Sequence, residues 1–298
     1  MSTDHVLVIG IDGVRYDTVR RLPTPHLDSI AERGFLVPTR VDDAGPTISG
    51  PSWATIFTGV LADRHRIVDN DLRGNRLADF PDLLTLAGRL RPGIRTWVGA
   101  AWPPLVSADS GGPLFAGGGV GPGAPTGHEP DWSEPDWNDL DDIITAQAEQ
   151  VITEHDGGAG SLLVCYLGAP DEIAHRHGVS GLYEESIIAA DRRIGRLLAA
   201  IANRQGEDWT VIAVTDHGHL DAGGHGGESP QERTAWIAAC GPGIGHRPAD
   251  ASDGTDDRLG SGRDGYWPRQ VDVAAQVMAT LQIPPDAWSY MTGRPFAW

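Results

Sequence analysis

Five of the eleven histidines fall between His175 and His225, and aspartates stand close to them in the chain. Asp171-Glu-Ile-Ala-His175 sets a carboxylate and an imidazole four residues apart, a spacing that brings both to one side of a helical turn. Asp216-His217-Gly218-His219 places three candidate ligands within four residues. In Gly223-Gly-His225-Gly-Gly227 an imidazole is flanked by residues that let backbone pass close to an ion. Ile9-Gly-Ile-Asp12-Gly13 adds a further carboxylate near the N-terminus. Alone, an aspartate after a strand reads as a helix cap, and a single histidine as a solvated side chain. Gathered in one place, these residues form a mixed imidazole and carboxylate donor set, which suits zinc and also manganese or iron.

A hydroxyl accompanies the donors. In Pro46-Thr-Ile-Ser49-Gly-Pro-Ser52-Trp53, Ser49 stands just before a helical pattern at 54–59. Backbone N–H groups and the positive end of the dipole at such a helix start favour a phosphoryl oxygen. A divalent cation at the Ser49 oxygen would lower its pKa and make it a nucleophile at neutral pH. The fragment by itself equally allows Ser49 or Ser52 to cap that helix.

The elements that must position these groups alternate along the chain. Short apolar runs at 6–11, 95–100, 161–167, 209–214 and 235–239 predict buried strands. Helical spacing occupies 27–33, 81–90, 139–155, 183–203 and 271–281. This pattern predicts an α/β fold with a mostly parallel central sheet and helices on both faces, a three-layer sandwich. Sites in such folds lie beyond the carboxyl ends of the strands. Asp12, Asp171 and Asp216 each follow a predicted strand, so the fold itself would gather them. Two Gly-, Pro- and Asp-rich stretches, 103–137 and 241–267, read as long loop insertions in a single domain covering 1–298. Trp102, Phe115, Trp132, Trp137 and Tyr266 in or beside them could stack on a ligand or anchor the loops.

The formal net charge of −18 argues against a nucleic acid polymer as partner, because no basic face is available to release counterions. A small phosphorylated substrate remains compatible, since bound cations invert the field of an acidic site. Cys165 and Cys240 are far apart in apolar surroundings and read as two buried thiols. No run reaches membrane-span length, and the apolar 6–11 stretch is too short for a signal segment. A cytoplasmic location is the expectation, with the oligomeric state left open.

Taken in order, the segments resemble the alkaline phosphatase superfamily, and most closely its nucleotide pyrophosphatase/phosphodiesterase branch. Ile11-Asp12-Gly13-Val14-Arg15 is similar to that branch's first metal-binding segment. Pro46–Trp53, with Thr58-Gly59 and His65, is similar to its nucleophile helix. Asp171, His175, Asp216, His217 and His225 are similar to its remaining ligands, in the same order, and the 270–295 tail resembles its closing helix and strand. The resemblance implies two divalent ions, with zinc first among the candidates. One would be held by Asp171, His175 and His225, the other by Asp12, Asp216, His217 and Ser49. It further implies attack by Ser49, a covalent phosphoserine, and hydrolysis of a small phosphate ester of phosphodiester, pyrophosphate or nucleotide type. The branch usually has Thr at the nucleophile and Asn at the position of Ser52, so Ser52 is expected to assist at a phosphoryl oxygen with a shorter reach. His177 and His219 have no counterpart in the implied ligand set.

Other activities fit less well. A phosphomonoesterase of the same superfamily is the main alternative. Metal-dependent mutases carry an extra domain after the nucleophile helix, for which 60–142 looks too loop-like. A sulfatase would need Arg where Trp53 stands. A non-catalytic metal-binding relative would be expected to lack the nucleophile or some ligands. No complete G-x-G-x-x-G, phosphate-loop lysine or G-x-S-x-G motif supports a dinucleotide enzyme, kinase or serine esterase.

Overall fold

Asp4–Ile11, the first strand (β1), is apolar on both faces and buried along almost its whole length, as a central parallel strand must be. The computed structural model describes residues 4–122, 136–154, 158–245 and 267–296. The other strands are β2 (Gly34–Arg40), β3 (Arg95–Ala100), β4 (Ser161–Leu167), β5 (Asp208–Val214) and β6 (Thr234–Cys240). They form one six-stranded sheet in the order β2-β6-β5-β1-β4-β3. β1 pairs in parallel with both β4 and β5, and β3 in parallel with β4. β6 runs antiparallel to its neighbours β5 and β2.

Alternate residues of the strands feed two cores. Val6 and Val8 point to one face with Trp53, Phe57, Leu83 and Val273. Leu7 and Ile9 point to the other with Ile30, Ile144, Ile187 and Ile194. The first face is covered by α2 (Ser49–Thr58), α3 (Leu83–Leu90) and α7 (Asp272–Thr280), the second by α1 (Pro25–Arg33), α4 (Trp137–Thr153) and α6 (Gly181–Ala202). A further helix, α5 (Ala169–His177), follows β4 directly. The predicted α/β sandwich with helices on both faces is therefore the observed architecture.

Three details differ from the sequence expectation. The strand at 235–239 is present but antiparallel. β2 is not among the predicted strands; it contains Pro38 and lies at the sheet edge, where a missing N–H is tolerated. Helix α2 begins at Ser49 itself rather than at 54, so the serine is its first residue. Residues 123–135 and 246–266 of the two predicted loops, with Trp132 and Tyr266, lie outside the described residues. Of the remaining loop aromatics, Phe115 is buried in the first core and Trp102 packs against it. Both cysteines are buried and unpaired. No helix among the described residues is long and apolar enough to cross a membrane.

The start of α5 depends on a residue of α4. The buried Asp141 carboxylate accepts hydrogen bonds from the backbone N–H groups of Gly168 and Ala169, at 2.9 and 3.0 Å. Burial pushes its pKa up to about 7. Asp141→Ala leaves both N–H groups in a buried turn without an acceptor, at about 1–3 kcal/mol each. We expect a lower urea midpoint with an unchanged slope, and a smaller loss for Asp141→Asn. An unchanged midpoint in the alanine variant would show that the turn finds other acceptors.

Candidate metal centre

The order β5-β1-β4 puts three parallel strands side by side, and each is followed within four residues by an aspartate. Asp12 follows β1, Asp216 follows β5, and Asp171 lies in the first turn of α5 after β4. The glycine-rich 218–227 segment then folds back over them and supplies His225.

The inner part of the site is built from Asp12, Asp216 and His217, all fully buried. Each carboxylate has one oxygen held by donors and one oxygen free. Asp12 Oδ2 accepts from the Trp53 indole N–H at 2.9 Å and from the Tyr166 hydroxyl at 2.6 Å. Asp216 Oδ1 accepts from the N–H groups of Gly13 and His217, at 3.1 and 3.0 Å. Asp12 Oδ1 and Asp216 Oδ2 are buried and meet no hydrogen-bond donor among the described residues. His217 Nε2 lies 3.5 Å from the first of these oxygens and 3.2 Å from the second. Two orphaned carboxylate oxygens facing an imidazole nitrogen are costly in a protein interior, and a divalent cation removes that cost. The residues fit such an ion.

Ser49 joins this group. Its Oγ is 3.3 Å from His217 Nε2, and the residue is 5 % exposed. At the same helix start the N–H of Gly50 donates to Asn70 Oδ1 at 2.8 Å, which fixes that side-chain amide beside the serine. His65 holds the connecting turn: its Nδ1 accepts from the Ile67 N–H at 3.1 Å, and its Nε2 is 3.1 Å from Thr55 Oγ1 on α2. Burial drives the His65 pKa down to about 4, so the ring stays neutral.

The outer part gathers Asp171, His175 and His225. His175 Nε2 is 3.4 Å from Asp171 Oδ2 and 2.9 Å from His225 Nε2, while His225 Nε2 is 3.6 Å from Asp171 Oδ1. The His175 side chain is 42 % exposed, whereas His225 is nearly buried and stacks on His217 with ring centroids 3.8 Å apart. The two halves thus share His217 at their boundary, and they differ in access to solvent.

The electrostatics follow from burial and crowding. Burial, then the charge of Asp171, pushes Asp12 up to about 7. Burial and both neighbouring carboxylates push Asp216 well above its ordinary range. Burial opposes ionisation of Asp171 too, but hydrogen bonds with His175 and His219 outweigh it and hold this carboxyl well below its usual range. Burial lowers His217 and His225, so both present neutral nitrogen donors at neutral pH.

All six predicted protein ligands and Ser49 therefore meet at one edge of the sheet. Ser52 does not join them. It lies on the next turn of α2, its Oγ is buried without a partner among the described residues, and it faces a small cavity lined by Val41, Asp42, Thr55, Ala62 and Gln270. The amide at the helix start is Asn70, which nothing in the chain's pattern singles out from other loop asparagines. Trp53 and Tyr166 read as core residues, and only their polar tips reach Asp12. His177 is exposed at the end of α5, outside the cluster, whereas His219 is fully buried within it.

The sequence model of the family described as type I phosphodiesterase/nucleotide pyrophosphatase matches residues 6–227. Ectonucleotide pyrophosphatase/phosphodiesterase family member 7 of Homo sapiens is 26 % identical over 235 residues, which are 73 % of this chain and 48 % of that protein. The chain thus spans about half the length of the curated relatives it matches. Among solved structures, a candidate sulfatase from Bacteroides thetaiotaomicron superimposes with a TM-score of 0.74 at 14 % identity, covering 98 % of this chain and 73 % of the other. The phosphonate monoester hydrolase of Agrobacterium radiobacter gives a TM-score of 0.63 at 16 % identity, covering 99 % and 78 %. These two likenesses concern the fold alone, an alkaline-phosphatase-like α/β sandwich.

The raised pKa values give binding a sign with pH. Below pH 7 Asp12 is mostly protonated without a cation, so an incoming ion must displace that proton. Zinc affinity of the metal-stripped protein should weaken as pH falls from 8 to 6, with proton uptake by the buffer measured in the same calorimetric titration. An affinity that stays flat across this window would contradict ligation by Asp12.

Proposed function

The chain belongs to the type I phosphodiesterase/nucleotide pyrophosphatase family, and on that premise we propose that it hydrolyses phosphate esters of a small metabolite, of phosphodiester, pyrophosphate or nucleotide type, with Ser49 as nucleophile. The observation that carries the proposal is the 3.3 Å approach of Ser49 Oγ to His217 Nε2, at the head of a helix and beside two orphaned carboxylate oxygens.

Two divalent cations are proposed, with zinc favoured by the imidazole-rich donor set. Asp12, Asp216, His217 and Ser49 would hold one, and Asp171, His175 and His225 the other. When bound, the pair supplies positive charge for the attacking and leaving oxygens. The protein's own groups do the rest. Helix α2 holds Ser49 Oγ at the cluster with the positive end of its dipole toward the phosphoryl group, while its Gly50 N–H is spent on Asn70 Oδ1 and Pro51 has none to give. Asn70, anchored through Oδ1, would donate from Nδ2 to a phosphoryl oxygen, the part expected of Ser52. Attack of Ser49 Oγ on phosphorus breaks the ester P–O bond opposite and leaves a phosphoserine. Water then cleaves that phosphoserine, restoring the hydroxyl and releasing the second product.

Ser49→Ala should abolish turnover, by about a thousandfold or more, because nucleophile removal eliminates the covalent route. Its metal content should match the parent by elemental analysis. Activity that survives the change would sink Ser49 as the nucleophile. Asn70→Ala should lower kcat by about a hundredfold, the scale of one lost oxyanion donor. Parallel assays of p-nitrophenyl phosphate, bis-p-nitrophenyl phosphate and thymidine p-nitrophenyl phosphate should show the last two to be preferred. Preference for p-nitrophenyl phosphate would make the protein a phosphomonoesterase instead.

A further inference from the structure

His219 is a buried histidine that the ligand set above does not use. One of its ring nitrogens lies with ligand atoms of Asp171, His217 and His225, all within 4.8 Å of one another, so by position alone it could be a ligand. The hydrogen bonds of the histidines separate them into two kinds. A backbone carbonyl can only accept, so a ring nitrogen facing one must carry the proton. His217 Nδ1 faces Gly218 O at 3.1 Å, and His225 Nδ1 faces Thr47 O at 2.7 Å. In both rings the proton is therefore on Nδ1, and the Nε2 lone pair is turned to the cluster, as a ligand requires.

His219 is arranged the other way round. Its Nδ1 is buried with no partner among the described residues, and its Nε2 is 2.7 Å from Asp171 Oδ1. An ionised carboxylate accepts only, so the proton is on Nε2, where it is satisfied. With that proton in place the ring has no lone pair to offer the cluster. We infer that His219 is a positioning residue: its Nε2–H holds Asp171 Oδ1, so that Oδ2, on the His175 side, is the oxygen presented to the outer cation.

The surroundings fit this role. A Cβ at Gly13 would lie 2.7 Å from both Asp171 Oδ1 and His219 Nε2, so only glycine leaves this pair room, and its φ of +68° also favours glycine. Arg15 holds the segment that carries the ring, pairing with Asp221 and donating to His219 O at 3.4 Å. The inference also completes a pattern. Asp12 is tethered through one oxygen by Trp53 and Tyr166, Asp216 by two backbone N–H groups, and Asp171 by His219.

The inference rests on the two-cation reading, and a cobalt titration of the full metal-stripped chain tests both. Binding of each Co2+ equivalent is followed by visible absorption, and folding by circular dichroism. Glutamine can donate from a nitrogen placed much like His Nε2, whereas alanine cannot donate at all. His219→Ala should weaken the second equivalent about tenfold to a hundredfold, the usual cost of losing a partner of a ligating group, and His219→Gln should stay within about threefold of the parent. A glutamine variant as weak as alanine, with an altered cobalt spectrum, would make His219 a ligand and overturn the inference. So would an alanine variant that binds like the parent. A parent that takes up only one equivalent would remove the outer cation, and the two-cation reading with it.

Discussion

Three aspartates converge without enough positive charge to balance them, and the fold around the site is organised by that constraint. Asp12, Asp171 and Asp216 are all buried and come from three neighbouring parallel strands. Arg15, close by, is taken up by Asp17 and Asp221. Burial, and then repulsion from neighbouring carboxylates, raises the proton affinity of Asp12 and Asp216, whereas hydrogen bonds with His175 and His219 outweigh burial and hold Asp171 well below its usual range. A sheet edge that gathers such groups could hold a cation. Much of what surrounds them fixes which oxygen each one offers.

Much of this was legible in the sequence, for a simple reason. Metal ligands are chosen by residue type, and imidazoles and carboxylates at strand ends stand out against an apolar background. Strand–helix alternation then places the strand ends together without further information. Helix existence was also clear: the patterns at 183–203 and 139–155 became α6 and α4 with only small shifts at the ends. Strand direction was not legible, because apolar periodicity is the same for a strand run either way, as β6 illustrates. β2 was not legible either; it contains Pro38, which is tolerated because that strand lies at the edge.

The supporting groups were the least visible. Trp53 and Tyr166 belong to apolar runs whose burial explains them fully, and nothing in their spacing reports that one polar atom of each touches Asp12. Asp141 looks like one more acid on the exposed side of a helix, yet it is buried and caps the start of α5. Asn70 sits in a turn that looks like any polar connection. Each becomes recognisable only when a distant segment supplies its partner. Sequence reading finds groups that bind by type, and it misses groups that act by contact.

Helix α2 has a mechanical consequence. All ten of its residues are buried, Ser49 begins it, and Trp53, one turn later, holds Asp12. The proposed nucleophile and a tether of Asp12 thus stand four residues apart on one helix, so any change in how that helix seats on the sheet would disturb both at once.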